Sequence, residues 1–107
     1  MAKDYKIPYM LDCYGSLLTK KQKCLVDQYY NDDLSLAEIS ESEGITRQGV
    51  RDAIKRAEAQ LLETEEKLHF IEKTFMLKKA AKGINVSDLE SATKKHIENL
   101  LNIIEEL

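Results

Sequence analysis

Arg47, Arg51 and Lys55 recur at every fourth residue, with Thr46, Gln48 and Arg56 beside them. On a helix, that spacing puts the three cations on one stripe. A row of cations neutralises phosphates, and Arg and Gln near a helix start can also read base edges. Arg favours guanine O6/N7 and Gln favours adenine N6/N7. Arg47 and Gln48 are therefore the candidates for base contact, and Arg51, Lys55 and Arg56 for phosphate contact. Thr46 is placed to bond a phosphate at the helix N-terminus. A charge stripe is also the ordinary solvated face of a bundle helix, but local charge favours the nucleic-acid reading. Residues 46–57 hold Arg47, Arg51, Lys55 and Arg56 against Asp52, a net of +3 in a chain whose net charge is −3. Residues 1–45 carry five cations against eight anions, residues 58–82 five against five, and residues 83–107 two against five. The one basic island coincides with the stripe, and phosphate neutralisation supplies most of the sequence-independent affinity for DNA.

Other chemistries find less support. Cys13 and Cys24 match no tight zinc pair, no second pair follows, and His69 and His96 stand alone on helical patterns. Neither a metal nor a cofactor is expected. Asp32-Asp33 and Glu65-Glu66 are adjacent in sequence and read as solvated surface. There is no glycine-rich phosphate loop and no nucleophile–base set, so an enzyme is the poorest fit.

The elements that must position the stripe are helices. Ser35 with Glu38 forms a capping box, Leu36, Ile39 and Ser40 give the next helix a small inward face, and Gly44 falls where the chain must reverse. Thr46 caps the following helix, whose buried face starts with Val50 and Ile54. Helix, tight turn and basic second helix make up the layout of a helix-turn-helix. Upstream, a helix over residues 8–18 presents Leu11, Tyr14 and Leu18, supported by Met10 and Leu17. Thr19 and Gln22 box the next helix, which buries Leu25, Val26 and Tyr29 and stops at Asn31-Asp32-Asp33. No glycine or proline occurs between Gly49 and Gly83, so the fourth helix is predicted to run to Lys82, about 50 Å if unbroken. Ile54, Ala57, Leu61, Thr64, Leu68, Ile71 and Phe75 step along it by threes and fours, as in a coiled-coil seam. Thr64, flanked by Glu63, Glu65 and Glu66, weakens the seam, and a bend is expected there. Ser87 with Glu90 reads as a third capping box, opening a last helix with Ile97, Leu100, Ile104 and Leu107 on one face. The short spacer lets that helix fold back on the far half of the fourth.

The expectation is an all-α helix-turn-helix bundle with a long fourth helix and a C-terminal helix that packs on it or on a partner chain. Residues 1–58 form the DNA-binding-like domain and residues 59–107 a helical extension that serves as dimerisation element. Leu61, Leu68, Ile71, Phe75, Ile97, Leu100 and Ile104 are the helix-packing or dimer residues, and the seams suit closure within a chain or between chains. A chain of 107 residues with 43% hydrophobic and 33% charged residues can bury a real core. No apolar run reaches the roughly 18 residues of a bilayer span, the N-terminus lacks a secretion-signal core, and the cysteine usage fits a reducing cytoplasm.

Tyr14-Gly15 with Leu17-Leu18-Thr19, the Lys23–Tyr30 helix, Leu34-Ser35-Leu36 with Glu38-Ile39, Thr46-Arg47-Gln48 with Val50, and Ile54-Lys55-Arg56-Ala57-Glu58 together resemble the YlxM family, small helix-turn-helix proteins of Gram-positive bacteria. The matching residues span about the first two-thirds of the chain. The resemblance implies a fold like region 4 of the major bacterial sigma factors and no enzymatic activity. It also implies a link to the signal recognition particle pathway, through gene neighbourhood with that particle's GTPase subunit. Two residues depart from such motifs. Glu43 stands where an apolar anchor is usual, so either the turn is more open or Glu43 snorkels out. Gly49 lies inside the recognition helix, where it costs on the order of 1 kcal/mol against alanine. Two function classes follow: a DNA-binding regulator acting as a homodimer, or an adaptor that binds an RNA or protein component of the signal recognition particle.

Overall fold

Six helices and one 3₁₀ turn make up the chain in the computed structural model, which describes residues 1–107. The helices are α1 (Ile7–Tyr14), α2 (Lys20–Tyr30), α3 (Leu36–Glu43), α4 (Arg47–Leu68), α5 (Phe70–Lys82) and α6 (Ser91–Glu105), with the 3₁₀ turn at Gly15–Leu17. The fold is all-α, and no helix is long and apolar enough to cross a membrane. Contacts divide the chain into two compact units, Met1–His69 and Phe70–Leu107.

In the N-terminal unit α4 is the hub, packed against α1, α2 and α3. Leu25 and Tyr29 of α2, Ile39 of α3, and Val50 and Ile54 of α4 form one buried cluster, with Leu34, Leu36, Ile45 and Ala53 packed around it. Ile7, Met10, Leu11 and Tyr14 of α1 are buried along with Ala57 and Leu61 of α4. The α1 helix is shorter than the expected 8–18. It ends at Tyr14, and the 3₁₀ turn carries Leu17 out to 57% exposure while Leu18 returns to the core. A 3₁₀ turn advances 120° per residue, so the helical phase that placed Leu17 inside is lost.

Two capping boxes form as expected. Gln22 N–H donates to Thr19 Oγ1 at 3.1 Å and Thr19 N–H to Gln22 Oε1 at 3.0 Å. Glu38 N–H donates to Ser35 Oγ and Ser35 N–H to Glu38 Oε1, both at 3.1 Å. Each box satisfies two of the backbone donors that a helix start leaves unpaired.

The long fourth helix is not continuous. It ends at Leu68, and His69 adopts the left-handed conformation at φ 57°, its N–H bonded to Glu65 C=O at 2.7 Å. Histidine visits that region more often than most non-glycine residues. The break therefore comes after the weak seam around Thr64, where the bend was expected. Thr64 donates its hydroxyl to Gln60 C=O within the helix, and Tyr14 Oη donates to Glu65 Oε1 at 2.7 Å across to α1. Glu65 thus ties this part of α4 to the N-terminal unit, which accordingly reaches His69 rather than residue 58.

In the C-terminal unit α6 packs on α5, as the short spacer implied. The third capping box does not form. The first residue of α6 is Ser91, after Glu90, which makes no side-chain cap bond. Ser87 instead bonds Asn85 Oδ1 through its N–H at 3.0 Å and its hydroxyl at 2.8 Å. The asparagine offers Ser87 a closer acceptor two residues back, which holds it in a turn.

Candidate nucleic-acid interface

The turn between α3 and α4 is closed by Ser40, Gly44 and Ile45. Gly44 stands at φ 68°, ψ 30°, where an L side chain is strained. Its N–H bonds Ser40 C=O at 3.0 Å, Ile45 N–H reaches the same carbonyl at 3.3 Å, and the Ser40 hydroxyl donates back to Ile45 C=O. Ser40, read from sequence as part of an inward face, is the clasp of the turn. Ile45 supplies the apolar anchor that Glu43 could not. Glu43 is exposed, and its Oε1 accepts a hydrogen bond from Gln28 Nε2 of α2 at 2.9 Å. The charge thus snorkels to the surface, and the turn stays closed.

Thr46 caps α4 by accepting Gly49 N–H at 2.9 Å. Its hydroxyl proton remains available for an external acceptor, since a hydroxyl donates and accepts at once. A Cβ at Gly49 would lie 3.1 Å from Thr46 Oγ1, so glycine here fits the close approach of the cap. Arg47, Gln48, Arg51, Lys55 and Arg56 are all exposed. Two ion pairs, Lys3–Asp33 and Lys67–Glu63, lie away from this stripe. Gln48 Nε2 donates to Asp52 Oδ1 at 2.9 Å, so reading an adenine would require it to exchange that partner.

The remaining predicted residues separate. Leu61 is buried in the N-terminal core at 1% exposure, so it acts in helix packing there and is closed to a partner chain. Leu68 and Phe75 are 42% and 45% exposed, Ile71, Ile97 and Ile104 are half-buried, and Leu100 is 51% exposed.

Sequence reasoning missed the N-terminal strap. Residues 1–4 lie beside the basic stripe, where Met1 and Ala2 join Arg51, Lys55 and Glu58 in lining an open cleft. Tyr29 Oη donates to Met1 C=O at 3.1 Å, and Lys3 Nζ sits 4.6 Å from the Tyr29 ring centre and 2.7 Å from Asp33 Oδ1. That hydrogen bond raises the Lys3 pKa and holds the Asp33 carboxyl below the usual range. Tyr30 donates its hydroxyl to Glu58 Oε2 at 2.9 Å and accepts Asp4 N–H at 3.2 Å. Burial, the larger influence, pushes its phenol well above the usual value, and the Glu58 carboxylate adds to the rise. A strap this far from its partners in sequence leaves no local pattern; Tyr29-Tyr30 was the one available hint.

A family model described as "UPF0122: Putative helix-turn-helix protein, YlxM / p13 like" matches residues 1–103. The chain belongs to the UPF0122 family. Relatives in that family are similar along most or all of the chain. A UPF0122 protein of Acetivibrio thermocellus is 40% identical over 114 residues, covering 100% of this chain and 97% of the relative. One from Bacillus pumilus is 39% identical over 107 residues, again covering 100% and 97%. One from Clostridium kluyveri is 44% identical over 84 residues, 78% of this chain and 76% of the relative. For a UPF0122 protein the family description and the α3–turn–α4 geometry agree on a helix-turn-helix, and the exposed basic face of α4 is its candidate polyanion surface.

Proposed function

We propose that this UPF0122 protein binds DNA through α3 and α4, with the N-terminal half of α4 in the major groove. The observation that carries the reading is the exposed set Arg47, Arg51, Lys55 and Arg56 at the start of a helix whose approach is held by the Ser40–Gly44–Ile45 turn. Arg47, one residue past the Thr46 cap, is the base-reading candidate, and Arg51, Lys55 and Arg56 take phosphates. Thr46 donates to a phosphate oxygen while its oxygen keeps the cap. Gln48 joins base readout only by giving up Asp52.

The test is a selection of bound duplexes from a random pool, followed by anisotropy titrations across salt. Arg47→Ala/Arg51→Ala should weaken binding, relax specificity through the loss of Arg47, and reduce the salt slope by about one through the loss of the Arg51 phosphate contact. Equal affinity and an equal slope in this variant would refute the assignment.

A second reading has its own observation. Residues 27–45 carry Asp27, Asp32, Asp33, Glu38, Glu41 and Glu43 with no cation. In a helix-turn-helix complex the first helix crosses the DNA backbone, where the acids of α3 would meet phosphates unfavourably. The same acidic face suits a basic partner. On this reading the helix-turn-helix is the scaffold of an adaptor that contacts a component of the signal recognition particle. A pull-down that recovers the particle's GTPase subunit would favour the adaptor if it survives Arg47→Ala/Arg51→Ala and fails with Glu41→Lys/Glu43→Lys.

A further inference from the structure

Two carboxylates of α4 stand within reach of the basic stripe. Asp52 precedes Lys55 by three residues and Arg56 by four, and Glu58 follows Lys55 by three. Opposite charges at those spacings are helical neighbours and pair when nothing else holds them. Glu58 also lines the open cleft beside the stripe, together with Arg51 and Lys55. In the structure each carboxylate is held by a neutral donor instead. Gln48 Nε2 donates to Asp52 Oδ1 at 2.9 Å, and Tyr30 Oη donates to Glu58 Oε2 at 2.9 Å. The first bond starts from an exposed side chain, but the second is fixed from both sides. The Tyr30 ring packs against the core cluster, and its hydroxyl oxygen accepts Asp4 N–H at 3.2 Å, which leaves the proton for Glu58. A hydrogen bond to a carboxylate is charge-assisted and among the stronger ones, whereas an exposed helical ion pair is screened and contributes little. The half-buried Glu58 therefore stays with Tyr30.

We propose that Tyr30 is a positioning residue of the DNA surface: it holds the Glu58 carboxylate toward α2 and so keeps Lys55 and Arg51 free for phosphate. A carboxylate released into the cleft would neutralise a cation that DNA must then win back. Affinity and its salt dependence both follow the number of phosphates the protein neutralises. The inference rests on the DNA reading of α4, whose own test is the Arg47→Ala/Arg51→Ala variant.

Tyr30→Phe removes one oxygen and keeps the ring in place, so helical circular dichroism should not change. In anisotropy titrations on the selected duplex it should bind about two- to threefold more weakly than wild type, with a salt slope lower by up to about one. In a Glu58→Gln background the same substitution should change neither, because no carboxylate is left to release. Unchanged binding by Tyr30→Phe would overturn the proposal. So would an equal loss in both backgrounds, the outcome of a merely structural role. Urea unfolding reads the positioning without DNA. Lys55→Met and Glu58→Gln should be additive when Tyr30 is present and coupled in Tyr30→Phe. Additivity in both backgrounds would overturn the proposal even where DNA binds. Coupling in Tyr30→Phe, in a protein that binds no duplex, would sink the DNA reading while supporting the hold of Tyr30 on Glu58.

Discussion

Gly44→Ala isolates the backbone of the helix-turn-helix turn. A Cβ at this position meets no heavy atom within 4 Å, so no steric clash contributes. What remains is the φ of 68°, which costs an L residue about 1–2 kcal/mol in the left-handed region. Alanine also restricts the unfolded chain relative to glycine, a term that reaches about 0.4–1 kcal/mol where the native conformation suits it. The expected net loss is therefore about 1 kcal/mol, or a fall of about 4–8 °C in Tm for a domain of this size. Gly44→Asn should lose less, since asparagine tolerates the left-handed region. Urea unfolding followed by far-UV circular dichroism measures both, and the slope should be unchanged because no buried surface is altered. If alanine were as stable as glycine, or asparagine worse than alanine, the turn would not be held at positive φ.

The other predictions concern α4 and its contacts. Gly49→Ala should change stability by less than about 0.5 kcal/mol, because about 1 kcal/mol of helix propensity is offset by the 3.1 Å approach to Thr46 Oγ1. In a Thr46→Ala background, with that oxygen gone, the same substitution should give its full gain, and a double-mutant cycle reads the difference. Ile54→Ala removes a fully buried side chain at the centre of the core and should cost about 2–5 kcal/mol in the same urea assay. Tyr30 has a folded pKa raised above its unfolded value, so its contribution is full below the ordinary phenol pKa of about 10 and is lost as pH rises above it. Stability measured from pH 8 to pH 11 should fall more steeply for wild type than for Tyr30→Phe, and parallel curves would contradict the raised Tyr30 pKa that partial burial and the Glu58 bond produce.

Several features were legible because their cause lies within four residues. Thr19 with Gln22 and Ser35 with Glu38 close their boxes over three positions, and Gly44 and the Thr46 cap act on their own turn. The Arg47–Arg51–Lys55 stripe follows from helical pitch alone. The same local logic failed at Ser87, where Asn85 competed for the hydroxyl from two residues away. It also failed at Leu17, where a 3₁₀ turn changed the phase.

The sequence by itself therefore determined the all-α class, the helix-turn-helix and the placement of its cations, all products of short-range periodicity and capping. Only the tertiary structure decided where α4 stops, which of its seam residues face inward, and what lies beside the basic stripe. Those outcomes depend on partners distant in the chain: Tyr14 with Glu65 across 51 positions, Tyr30 with Glu58 across 28, and Tyr29 with Met1 across 28. A hydrogen bond between such residues is made by packing, and packing leaves no mark in a window of seven residues.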